Sequence, residues 1–364
     1  MKRLLRFILR KPVLWLTGKF SSAPVKEKVL DSLTELYAEI TDEGKKGECI
    51  SVLLNEMRII IFSDQHKGAR NGSDDFAAAE KNYIAALKYY NDEQFFFISL
   101  GDCEELWENN IFSVMKHNKK VFDKEKLFIQ RKSFCKIFGN HDLLWDNDPL
   151  ASVYLKKMYK EAVKIYSGIV LKIQLNETSL DIFCTHGHQG DAQSDGNAFS
   201  KFFVSSIWGP LQNFLAINPN TPSANDNIKT LHNLFMYEWS AAQQNTILIT
   251  GHTHQPVFNS LTHLERLYQQ LEEANANNDT ETVAKIEAEI PRRRREYDFV
   301  NASFRNMKPS YFNSGCCCFE DGTITGIELA DGCIRLIKWN YQNKKPTRTV
   351  LEENTLEELI GKLK

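Results

Sequence analysis

The stretch EMRIIIFSDQH, Glu56 to His66, holds a short apolar run that stops abruptly at Asp64-Gln65-His66. Its length and isoleucine content read as a β-strand. With Arg58–Phe62 as the first, four more runs read the same way: Phe95–Leu100, Ser133–Phe138, Leu180–Cys184 and Thr246–Ile249. Helical patterns separate the early runs. In DDFAAAEKNYIAALKYYND, Phe76, Ala79, Tyr83 and Leu87 share one face. Strand alternating with helix predicts an α/β core.

All five runs end alike. After Asp64-Gln65-His66 come Gly101-Asp102, Gly139-Asn140-His141-Asp142, His186-Gly187-His188 and Gly251-His252-Thr253-His254. In open α/β sheets, ligands bind beyond the carboxyl ends of the strands, so these tips are expected to converge. Clustered carboxylates repel unless a cation or proton lies between them. Mixed oxygen and nitrogen donors without cysteine suit manganese, iron, zinc or cobalt better than magnesium or calcium. The donors are too many for one ion with open positions. Two ions sharing a carboxylate, ~3.5–4 Å apart, fit better and are a phosphoesterase device.

The bulk properties narrow the class. The chain has 364 residues, 42% hydrophobic and 25% charged, with net charge −2, which suits a globular protein and argues against a dedicated nucleic-acid binder. Its eight cysteines show no CxxC spacing and are expected to be reduced thiols in the cytoplasm. No apolar run reaches the ~18–20 residues needed to span a bilayer.

Five regions are expected. Residues 1–55 form an N-terminal helical extension, with Val25, Val29, Leu33, Leu36 and Ile40 at helical spacing. It begins MKRLLRFILRKPVLWLTGKF, where Lys2, Arg3, Arg6, Arg10, Lys11 and Lys19 stand among leucines and Trp15 without an acid. Arg6 and Arg10 interrupt any signal-peptide core. Such a segment either lies on an anionic membrane surface or docks its apolar stripe on the protein's own core. Residues 56–259 form the core, with a helical insert at 192–244; residues 260–300 form a helical hairpin; residues 301–345 supply closing strands; residues 346–364 form a helix or tail. Asp321-Gly322 and Asp331-Gly332 signal hairpin turns.

The blocks SDQH, LGD, GNHD, THGH and GHTH, in this order, resemble those of the calcineurin-like metallophosphoesterase superfamily. The resemblance covers residues 57–257 and the strands near FNSG, 312–315. It implies an α/β fold, a two-sheet β-sandwich flanked by helices, with a dimetal site at the strand ends. It implies that one ion takes Asp64, His66, Asp102 and His254, and the other Asp102, Asn140, His186 and His252, with Asp102 as the bridge. Manganese is the expected metal; iron, zinc and cobalt are alternatives. A metal-bridging hydroxide would attack phosphorus in line, His141 would protonate the leaving oxygen, and Asp142 would orient that imidazole. LGDCEELWE and THGHQGDAQSD look most like the UDP-2,3-diacylglucosamine pyrophosphohydrolases, though His188 stands where that group carries aspartate.

The expected function is hydrolysis of a phosphodiester or pyrophosphate bond, with a lipid-linked nucleotide as the candidate substrate, by an enzyme in the cytoplasm or on the inner membrane face. A phosphomonoester or phosphoprotein phosphatase is the alternative; such enzymes usually carry an arginine two residues after the Asn-His pair, where this chain has Leu143. A scaffold on the same fold is the third. Cys103 is expected to pack away from Asp102, and Cys316–Cys318 to be strand core. Glu104, Glu105 and Glu108 are expected on a solvated helix face, and His117, His232 and His263 in ordinary positions. Segment 198–217 is either an acyl-chain lid or a stripe buried on the core. Arg292–Arg295 suits a helix C-terminus, where cations complement the dipole, and also suits phosphate or anionic lipid.

Overall fold

A computed structural model describes residues 24–363 except 72–73, 176–177, 191–225, 295–299 and 301–305. The basic start of the chain and the 198–217 segment therefore lie outside the described residues, as does most of the 192–244 insert.

Among the described residues the strands fall into two sheets of seven. In chain order, β1 is Gly47–Leu53, β2 Arg58–Phe62, β3 Phe96–Leu100, β4 Phe134–Ile137, β5 Ile165–Tyr166, β6 Gly168–Leu175 and β7 Thr178–Thr185. Then come β8 Thr246–Thr250, β9 Val257–Phe258, β10 Leu261–Thr262, β11 Tyr311–Asn313, β12 Ile324–Ala330, β13 Cys333–Gln342 and β14 Lys345–Thr355. One sheet runs β1-β6-β7-β8-β11-β9-β10 and the other β14-β13-β12-β2-β3-β4-β5. Parallel pairing of β2 with β3, β3 with β4, and β7 with β8 brings the loops after these strands to one edge.

Alternation along each strand gives each sheet an inner and an outer face. Ile59, Ile61, Ile98, Leu100 and Ile137 of one sheet meet Leu171, Ile173, Ile182, Ile247 and Ile249 of the other. The opposite residues, Ile60, Phe62 and Phe97, face a helix α2, Glu80–Asp92, through Tyr83, Leu87 and Tyr90. Burial on both faces explains why these runs are uniformly apolar.

Residues 1–55 are not a purely helical extension. A helix α1, Lys26–Thr41, buries Val29, Leu33, Leu36 and Ile40 against Val170, Phe183 and Trp239. β1 then pairs in parallel with β6 along its whole length. The C-terminus also departs from expectation. Residues 345–355 form β14, which pairs with β13, and only Leu356–Leu363 is helical. Period-2 alternation is weak in β14 because it is an edge strand with mostly exposed or half-buried residues. Asp331-Gly332, both at positive φ, turns β12 into β13. Asp321-Gly322 instead closes a loop turn that precedes β12.

His263–Ala276 and Thr280–Arg293 form adjacent helices, the first capped by reciprocal bonds between Thr262 and Glu265. Arg293 bonds Glu289 at 2.7 Å, whereas Arg292 is solvated. Among the described residues no helix is long and apolar enough to cross a membrane.

Because α1 covers a sheet face, Leu33→Ala should cost about 2–5 kcal/mol, the usual range for a core truncation. Urea unfolding followed by circular dichroism measures it; a loss under 1 kcal/mol would show α1 to be a dispensable appendage.

Candidate metal centre

The loop after each of five strands contributes a polar tip, and the tips meet. Asp64 follows β2, Asp102 follows β3, Asn140 follows β4, His186 follows β7, and His252 and His254 follow β8. Asp64, His66 and Asp102 form one set of donor atoms within 4.8 Å of one another; Asp102, His186 and His252 form a second. Asp102 is the member common to both. Its Oδ2 lies 3.2 Å from His186 Nε2 and 3.8 Å from His66 Nε2. On the first side, His66 Nε2 is 3.1 Å from His254 Nε2, and His254 Nε2 is 3.3 Å from Asp64 Oδ1.

These residues fit a metal. Asn140 Oδ1, His186 Nε2 and His252 Nε2 are buried and have no hydrogen-bond partner among the described residues. A buried polar atom left without a partner costs about 1–3 kcal/mol, so three such atoms on the strand-end loops mark a site made to bind something. His186 Nδ1 donates to Leu100 O at 2.9 Å, which turns its Nε2 lone pair toward Asp102. Burial, reinforced by His232 and His186, keeps His252 well below the usual histidine range, and so neutral with a donor lone pair.

A family model for calcineurin-like phosphoesterases matches residues 57–256. The chain belongs to that family. No curated relative matches it. Among solved structures, Vacuolar Protein Sorting 29 from Cryptosporidium parvum is similar at 12% identity, over 82% of this chain and 98% of that one, with a TM-score of 0.31. A Vps29 mutant from Entamoeba histolytica is similar at 13% identity, over 81% and 100%, with a TM-score of 0.30. Likeness at that level says nothing of function.

Backbone strain accompanies the calcineurin-like site. Asp64, His66, Asp102, His252 and His254 all adopt positive φ, between 48° and 70°. Such conformations in residues other than glycine cost of order 1–3 kcal/mol each and concentrate at functional sites. Glycines admit the close approach. A Cβ at Gly139 would collide with Asp102 Oδ1, and one at Gly101 with the His186 ring.

Several expectations need correction. Asp142 does not touch the His141 imidazole: its carboxylate accepts from Cys103 N at 2.8 Å and Gly139 N at 2.6 Å. Glu105 takes the orienting position. Its Oε2 lies 2.7 Å from His141 Nδ1 and 3.1 Å from His66 Nδ1, and it is buried rather than solvated. Trp107 stacks on His141 at 4.0 Å. Burial works against charge on His141, but Glu105 and Asp102 outweigh it and hold the imidazole up to about 9.

Glu104 is also buried. It pairs with Lys67 at 3.2 Å and Lys136 at 2.9 Å, while Lys67 also pairs with Glu125 at 2.7 Å. Glu108 is half-buried. These acids face inward because residues 103–110 form irregular loop and turn rather than a helix. Cys316–Cys318 lie in the loop after β11, beside His254, not in a strand. His232 is buried with its ring 5.0 Å from that of His252, and its Nε2 is 2.5 Å from Gly187 O. Its signal in sequence was only a histidine on a helix. His117 is exposed, and His263 is half-buried away from the centre. Cys103 bonds Ser99 Oγ at 2.9 Å, away from Asp102. His188 is buried 5.4 Å from the His186 ring.

Gly139→Ala should lower metal affinity about 10–100-fold, as displacement of a ligand's support does. Calorimetric titration with Mn²⁺ checks this; unchanged affinity in a folded variant would contradict the packing of Gly139 against Asp102.

Proposed function

We propose that the chain is a dinuclear-metal-dependent phosphoesterase that hydrolyses a phosphodiester or pyrophosphate bond in a small phosphorylated substrate. The supporting observation is that Asp102 joins two donor sets, each with imidazole nitrogen and carboxylate oxygen, while Asn140, between Gly139 and His141 that both approach Asp102, keeps its Oδ1 buried and unpaired. Asp64, His66, Asp102 and His254 would hold one divalent ion, and Asp102, Asn140, His186 and His252 the other. Manganese, iron, zinc and cobalt all suit these donors. When bound, the ions would acidify water and neutralise charge on phosphoryl oxygens.

The chain's own residues supply the rest. Glu105 fixes the His141 ring by accepting from Nδ1, so the transferable proton is held at Nε2. Trp107 covers one face of that ring and limits its rotation. Glu105 favours the charged imidazole, the form that can protonate a leaving alkoxide. Glu105 also accepts from His66 Nδ1, which presents His66 Nε2 to the centre.

The finer substrate rests on the LGDCEELWE and THGHQGDAQSD stretches, which favour a lipid-linked nucleotide. With it goes the proposal that the basic N-terminal segment rests on an anionic membrane surface at the cytoplasmic face. The complete ligand set weighs against a non-catalytic scaffold.

With Mn²⁺, a bis-aryl phosphodiester should turn over faster than an aryl phosphomonoester. The reverse order would favour a phosphatase, and turnover of neither would favour the scaffold. His141→Ala should keep its metal but lose ~10²–10⁴ in kcat on an alkyl leaving group. An acid must be protonated to act, so activity should fall as pH rises through the titration of His141, which Glu105 raises. Glu105→Gln removes the anion that stabilises the imidazolium, so its alkaline limb should move to lower pH; an unmoved limb would remove Glu105 from this role.

A further inference from the structure

The segments NNIFSVMKHNKKVF, 109–122, and PLASVYLKKMYK, 149–160, carry six lysines and no acid, in a chain whose net charge is −2. Each holds a helix with one face turned inward. The helix Ile111–His117 buries Ile111 and Val114, and the helix Ala151–Tyr159 buries Ala151, Leu155, Met158 and Tyr159. These side chains share an apolar cluster with Phe138 and Trp145, which stand on either side of the Asn140-His141 pair in the chain.

The outward faces are not polar throughout. Phe112 is 51% exposed, Leu150 51% and Val153 58%. With about 3.6 residues per turn, Leu150, Val153, Lys156, Lys157 and Lys160 fall on one side of their helix and its ends, and Phe112 and Lys116 on one side of theirs. The two faces meet. The Phe112 and Tyr154 rings lie 5.8 Å apart, edge to face, and Lys157 Nζ is 4.7 Å from the centre of the Phe112 ring. Single exposed apolar side chains are ordinary on a globular protein. Three on adjoining faces, bordered by lysines in segments free of acid, make the pattern of a surface that lies on a membrane.

We propose that these two helix faces dock on an anionic lipid bilayer. Phe112, Leu150 and Val153 enter the headgroup layer, and Lys116, Lys156, Lys157 and Lys160 pair with the lipid anions. Lysine stems run along apolar surface while their ammonium groups stay with the charges outside it. The aliphatic members favour lipid over nucleic acid, whose phosphates and base faces would gain little from Leu150 or Val153. The surface belongs to the described fold and is separate from the basic start of the chain, and it rests on neither the metals nor the reaction. It also lies close in the chain to the proposed acid. Trp107 stacks on His141, Leu106 N donates to His141 O at 3.2 Å, and residues 108–110 lead from there into the helix Ile111–His117.

Sedimentation with vesicles tests it. The full chain should bind phosphatidylcholine vesicles that contain phosphatidylglycerol, bind pure phosphatidylcholine ~10-fold less tightly or worse, and come off as NaCl rises to ~0.5 M. Changing Arg3, Arg6 and Arg10 to Glu subtracts the basic start. In that chain, Lys116→Glu with Lys157→Glu should lower the remaining affinity ~10-fold or more, and Phe112→Asp with Val153→Asp should do the same. All four positions are exposed, so the melting temperature followed by circular dichroism should not move. Binding that survives either pair overturns the proposal, as does an unaltered chain that binds no vesicle. If a DNA duplex binds instead, and more weakly with the lysine pair but not with Phe112→Asp and Val153→Asp, the surface serves nucleic acid and the lipid assignment falls. Turnover of a soluble bis-aryl phosphodiester is a separate readout: its absence removes the proposed function and leaves the docking surface standing.

Discussion

Asp102 is a carboxylate with almost no exposure, and burial alone would drive it to hold a proton. The charges of His186 and His141 outweigh that and hold it well below the usual carboxylate range. Everything near it serves that charge. His141 N donates to Oδ1 at 2.8 Å, leaving Oδ2 between the His66 and His186 imidazoles. An anion so placed, between imidazole nitrogens on both sides, is suited to cations. The glycines at 101 and 139 exist so that backbone can lie against this group and His186 without a side chain intervening.

The scaffold keeps the arrangement rigid at some expense in local stability. Five residues of the centre sit in left-handed backbone. Such strain survives only where the surroundings over-determine it. Two sheets with apolar faces provide the main constraint. A buried quartet of Lys67, Glu104, Glu125 and Lys136 provides a second, because Lys67 and Glu104 flank the loops of His66 and Asp102 and also form a β-bridge. Its charges balance, two of each sign, so burial leaves none uncompensated. Tyr83 and Tyr159 donate to Glu125, and Trp145 to Glu104, completing the hydrogen bonding.

Glu105 links the centre to His141, the proposed acid. One oxygen serves His66 and His141 together. The orientation of a ligand and the protonation of the acid thus depend on the same carboxylate. Asp142, closer in sequence to His141, instead ties the loop backbone at Gly139 and Cys103.

The five strands and the residues at their ends were legible in the sequence because both-face burial demands an unbroken apolar run, and a metal demands Asp, Asn or His at its tip. Those two demands act locally, so they leave local marks. What Glu105 touches, the inward turn of Glu104, the approach of His232 to His252 and the meeting of Cys318 with His254 depend on segments separated by up to 64 residues. No periodicity records such meetings. The edge strands β1 and β14 were missed for a related reason: exposed on part of their surface, they owe their conformation to the partner they hydrogen-bond with and not to their own pattern.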